Sequence, residues 1–151
     1  MSMVDVSKIT RAVERQLKKD AALIEEGFDV ERAEVINTDP GRTPWAGVYR
    51  ASVTYAPGTL GHHAQSWDAS VEIKVVVQAA DPTGEGAQAE VDLARYEQLT
   101  VAALWADPTL GGTVDMLTAL SVDYTFVETE DDENVYFPNA IITVTAEVGA
   151  G

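Results

Sequence analysis

Two adjacent imidazoles, His62 and His63, are the only histidines in the chain and stand in a loop from Pro57 to Gln65. With a third ligand such as Asp68 folded nearby they would suit zinc or copper. Neighbours on an extended segment point in different directions, and no other ligand spacing accompanies them. The loop reads more plainly as a polar arm that offers Leu60 to a partner. The carboxylates Glu128, Glu130, Asp131, Asp132 and Glu133 supply the oxygens that calcium wants, without the D-x-D-x-D-G spacing. They read as a solvated hairpin tip, or as carboxylates lining a passage. Gly84-x-Gly86 follows a strand pattern and opens a helix, where a phosphate-binding turn would lie. The fuller glycine pattern is missing, and Asp81 and Glu85 would repel phosphate. Paired carboxylates could serve glycoside hydrolysis in any acidic chain, but spacing singles out none. Trp45, Trp67 and Trp105, with Tyr49, Tyr55, Tyr96, Tyr124 and Tyr136, suit core and interface packing better than a ligand site. No nucleophile elbow, phosphate loop or metal signature is present, so no catalytic residue, metal or cofactor is expected.

The chain has 151 residues, 46% of them hydrophobic, and a mean hydropathy of −0.06, which suits one folded domain over 1–151. Ten Lys and Arg against 25 Asp and Glu give a net charge of −15, which argues against a surface that grips nucleic-acid phosphates. The absence of cysteine excludes disulfides and thiolate sites. No apolar run approaches the ~18 residues of a membrane span.

The apolar residues Val6, Ile9, Val13, Leu17, Ala21 and Ile24 recur at helical spacing, predicting one amphipathic helix over Val4–Glu26. Asp5 or Ser7 would cap its start, Gly27 would stop it, and Lys18 and Lys19 fall on its polar side. A short strand is expected within Phe28–Ile36, then a turn at Asn37–Gly41. Tyr49, Ala51, Val53 and Tyr55 predict one face of a second strand. Trp67, Ala69, Val71, Ile73, Val75, Val77 and Ala79 predict the core face of a third, with Asp68, Ser70, Glu72, Lys74 and Gln78 on its polar side and Val76 as an intruder there. A second helix is expected from Ala87 to Asp107-Pro108. Its last turns are apolar almost all round, which leaves Val101, Leu104 and Trp105 to meet a neighbour or the core. Leu120, Val122, Tyr124 and Phe126, then Ala140, Ile142, Val144, Ala146 and Val148, predict the faces of two closing strands. The order α-β-β-β-α-β-β reads as an α+β domain, with an antiparallel or mixed sheet of about five strands and both helices on one face.

The stretch Ala106-Asp-Pro-Thr-Leu-Gly-Gly-Thr-Val-Asp115, after the second helix, resembles the tail-terminator (tail completion) proteins of long-tailed bacteriophages. So do the order of elements and the closing segment Asn134–Glu147. Read physically, Pro108 stops the helix, Gly111 and Gly112 permit positive φ, and Leu110 tucks beneath the core.

The resemblance implies a structural, non-enzymatic virion protein. Its homo-oligomeric ring, usually a hexamer, would cap the head-proximal end of the tail tube, stop tube polymerisation and offer a docking surface to the neck. The implied partners are further copies of the chain, the tail tube protein and a neck or head-completion protein. The implied place is the head–tail junction, assembled in the bacterial cytoplasm. DNA would pass through an acidic lumen without specific binding, and no membrane is involved. Subunit or tube contacts are expected at Leu60, His62, His63, Val101, Leu104 and Trp105, and the lumen or tip at the Glu128–Glu133 carboxylates. A head-completion or neck (head–tail connector) protein is the nearest alternative. A small ligand-binding or enzymatic α+β domain is another, and predicts a cleft with a perturbed carboxylate.

Overall fold

A computed structural model describes residues 4–32, 35–57, 67–80, 87–126 and 137–150. It is an α+β domain with a mixed five-stranded sheet in the order β1-β2-β3-β5-β4. The helices α1 (Val6–Lys19), α2 (Ala21–Glu26) and α3 (Ala87–Trp105) accompany β1 (Asp29–Arg32), β2 (Trp45–Pro57), β3 (Trp67–Gln78), β4 (Met116–Phe126) and β5 (Pro138–Ala150). β1 runs parallel to β2, and the other neighbours are antiparallel. A parallel pair needs a crossover of about a dozen residues. Residues 33–44 provide it, with a short 3-10 turn at Pro40–Arg42.

The expected single first helix is two helices. Asp20 leaves the helical region at φ −69°, ψ 123°, and its carboxylate accepts from the N–H groups of Ala22 and Leu23 at 3.1 and 3.2 Å. An aspartate that can satisfy free amides ahead of it competes with helix continuation and restarts the chain at a new angle. The buried stripe Ile9, Ala12, Val13, Gln16 and Leu17 therefore ends at the break. Beyond it Leu23 turns inward, whereas Ile24 is 62% exposed and Ala21 lies outside the core. Asp5 caps α1, and Gly27 ends α2 at φ 82°, both as expected.

The core fills the space between the helices and one sheet face. β3 gives it Ala69, Val71, Ile73, Val75 and Val77, and β5 gives it Ala140, Ile142, Val144 and Ala146. These are the predicted faces. β2 departs from prediction because of a bulge between Arg50 and Ser52. Ala46 and Val48 face the core before the bulge, and Val53 and Tyr55 face it after. An extra residue in one strand reverses the alternation, so Tyr49 and Ala51 leave the predicted face.

Among the described residues the second sheet face is covered only at the Trp45 end. Val76 and Gln78, expected to be exposed, are fully buried there beside Trp45, which is 1% exposed. Gln78 exchanges hydrogen bonds with Asn37, whose Nδ2 donates to Gln78 Oε1 at 3.0 Å while Gln78 Nε2 donates to the Asn37 carbonyl at 2.9 Å. The predicted Asn37–Gly41 turn thus closes this corner. Trp45 Nε1 donates to Glu31 at 3.0 Å, so the indole is anchored as well as packed. The rest of this face carries Ser52, Thr54, Ser70, Glu72, Lys74, Thr143 and Thr145, exposed or half-buried.

Candidate functional site

The segment that carries the sequence resemblance is a tightly bonded turn. α3 ends at Trp105, and the side chain of Asp107 accepts from Thr109 N–H at 3.0 Å, Thr109 Oγ1 at 2.7 Å and Gly111 N–H at 2.8 Å. Leu110, Gly111 and Gly112 follow with φ of 51°, 70° and 83°. Three successive left-handed residues reverse the chain within one turn, which only glycine does without strain. Leu110 bears that strain and is 3% exposed in the core. The N–H of Leu117 then donates to the Pro108 carbonyl at 2.7 Å, fixing where β4 starts. Pro108, Leu110, Gly111 and Gly112 hold the expected positions. Asp107, to which sequence reasoning assigned no role, is the residue that organises them. Its signal was present as an Asp two residues before a threonine, at the end of a helix.

The bond to the Thr109 hydroxyl, with the Gly111 and Thr109 amides, holds the Asp107 carboxyl below the ordinary carboxylate range. A carboxyl depressed in the folded state stabilises fully above its unfolded value, and loses that contribution as pH falls through the folded one. Asp107→Ala is therefore expected to melt below the parent at about pH 7, with a gap that begins to narrow as pH falls below about 4. Melts at the two extremes check this, and a gap independent of pH would contradict the role given to the charge.

Of the expected contact residues on α3, Trp105 is 43% exposed, Val101 is half-buried, and Leu104 is completely buried. The helix turns Leu93, Tyr96, Thr100, Ala103 and Leu104 inward. Leu104 is thus spent on the subunit's own core, and the apolar surplus of the last turns falls to Trp105. More apolar surface lies beside α3: Val91 is 61% exposed, Tyr124 67% and Phe126 61%. Tyr124 and Phe126 continue the predicted face of β4, but extend past the helical cover. The Tyr124 hydroxyl donates to Glu97 at 2.5 Å, tying the edge strand to α3, and this bond raises the tyrosine's pKa. Among the described residues β4 pairs on one side only, with β5.

The opposite half of the helical layer is basic. Lys8, Arg11, Arg15, Lys18 and Lys19 are all exposed on α1, which holds half of the chain's ten cations and a single carboxylate, Glu14. Glu14 pairs with Lys18 at 3.1 Å and with Arg32 at 3.0 Å. A cavity of about 320 Å³ lies between α1, α2 and β1, lined by Leu17, Lys18, Leu23, Ile24, Phe28, Asp29 and Val30. Its one carboxylate, Asp29, is held by Arg42 Nη2 at 2.6 Å and Nε at 3.0 Å. Among the described residues the aromatic side chains do not gather into one site: Trp45 lies on the second sheet face, while Tyr96 meets Phe28 edge-on in the core at 5.2 Å.

Leu60, His62 and His63, the Gly84-x-Gly86 turn, and the carboxylates Glu128, Glu130, Asp131, Asp132 and Glu133 lie outside the described residues. Among the described residues no three His, Asp or Glu side chains group as metal ligands, and no helix is long and apolar enough to cross a membrane.

No family model matches the chain, and no curated protein matches it. Among solved structures, the chain is similar to one in the virion of a native gene transfer agent particle. The identity is 14% and the TM-score 0.44, over 92% of this chain and 94% of that one.

Proposed function

We propose that this chain is a structural subunit of a tailed particle: a terminator whose ring caps the head-proximal end of the tail tube and receives the neck. The observation that carries the reading is the Ala106–Asp115 turn. It is the segment on which the sequence resemblance rests, and it is built on Asp107 and three left-handed residues between α3 and the closing pair of strands. The surfaces described above suit repeated contacts between subunits: a polar sheet face that no described helix covers, an edge strand, and exposed Trp105, Tyr124 and Phe126.

Capping has a simple physical logic. A growing tube end presents repeating unsatisfied surface, and a ring that covers it while offering a different outer face leaves the next tube subunit nothing complementary to bind. A hexamer of chains at −15 each would be strongly anionic, and carboxylates of Glu128–Glu133 facing the axis would let DNA slide without adhering. Leu60 would meet a neighbour or the tube. Mixing the purified protein with tail tubes and viewing them by negative stain tests the reading. Caps confined to one end of each tube are expected, whereas bare ends at every concentration would overturn it.

A further inference from the structure

We infer that the contact between subunits joins the exposed basic stripe of α1 on one copy to the β4–α3 flank of the next, with Arg11 and Arg15 meeting Tyr124, Phe126 and Glu97. This rests on the ring reading and specifies its interface. The two surfaces belong to opposite halves of the molecule. α1 packs against β1 and β2, whereas α3 packs against β3 and β5, and β4 is the far edge of the sheet.

Their chemistry is complementary. α3 contains three carboxylates, Glu90, Asp92 and Glu97, and one cation, Arg95, while α1 contains five cations and one carboxylate. Arg11 and Arg15 are exposed and form no ion pair among the described residues. On the other flank, Tyr124 and Phe126 are exposed aromatic rings on one face of β4, and the Tyr124 hydroxyl donates to the carboxylate of Glu97. A guanidinium stacks on an aromatic face while its N–H groups reach a carboxylate, so Arg on this flank satisfies both features together. A contact between two different patches of one chain is heterologous, and closes into a ring when its rotation permits.

Charge reversal tests this on the full chain, with mass in solution and tube capping as separate readouts. Arg11→Glu/Arg15→Glu and Glu97→Arg should each fold like the parent by circular dichroism, yet remain monomeric at concentrations where the parent assembles. An equimolar mixture of the two should assemble again, because each then meets an opposite charge at both of its surfaces. Parent assembly should also weaken about tenfold or more from low to high salt. If both variants assemble and cap tubes like the parent, this interface is wrong and the ring reading stands. A parent that neither assembles nor caps would overturn both.

Discussion

Replacing Gly47 with alanine is expected to destabilise the domain by about 3 kcal/mol or more, from a change of one methyl group. Gly47 sits on β2 two residues after Trp45, on the same sheet face, and the indole lies flat across it. A Cβ added there would stand 2.7 Å from Cζ3 and 2.8 Å from Cζ2 of the ring, and closer still to Cη2. Two escapes are available. The ring can swing out, losing its burial and its bond to Glu31, or β2 can buckle between β1 and β3, with both of which Gly47 pairs. For a domain whose whole stability is of order 10 kcal/mol, either loss is severe. Urea unfolding should show a lower midpoint, and tryptophan emission should move to the red as Trp45 meets water. The Trp45→Ala/Gly47→Ala double variant should be no less stable than Trp45→Ala alone, since the clash is gone. Equal midpoints for the parent and Gly47→Ala would contradict the packing described.

Gln16 carries the second large effect. It is a polar residue on the buried stripe of α1, 4% exposed, and its Nε2 donates to the carbonyls of Ala103, Leu104 and Asp107 at 2.9, 2.8 and 3.2 Å. The last carbonyls of a helix lack partners within it and form the negative end of its dipole. One amide therefore closes α3 and fastens it to α1, beside the Asp107 turn. Gln16→Leu preserves volume but strands buried acceptors, and should cost about 2–4 kcal/mol. Gln16→Glu should be worse near neutral pH, because a carboxylate would face those carbonyls. Its deficit should shrink on acidification, when the protonated carboxyl can donate. Thermal melts of both variants across pH check this, and a Gln16→Leu protein as stable as the parent would contradict it.

Alternation and helical spacing were legible wherever the chain kept one period over several residues. β3, β5 and the start of α3 lie where the pattern puts them, and the glycines at 111 and 112 turn where left-handed residues are needed. What escaped was local change of phase. The break at Asp20 and the bulges at Arg50/Ser52 and Leu117/Ala119 each shift the inward face, and no periodicity reports them in advance. Long-range burial escaped too. Gln78 looks like an outward residue until the Asn37 turn closes over it, and Gln16 looks like surface until α3 ends against it. β5 inserts between β3 and β4, a pairing that sequence order does not encode. Leu104 looks like surplus apolar surface because a helix apolar all round does not reveal which side turns inward, whereas Asp107 has a local signal, an Asp two residues before a threonine at a helix end, whose three donors only the folded turn brings together.

The most direct test of the account is growth arrest. Tail tube protein from the same particle would be polymerised with increasing amounts of this chain, and tube lengths measured by electron microscopy. The account predicts that lengths shorten and growth stops once about one ring is present per tube, far below one copy per tube subunit. Tubes that keep growing to their full length in a molar excess of the chain would contradict it.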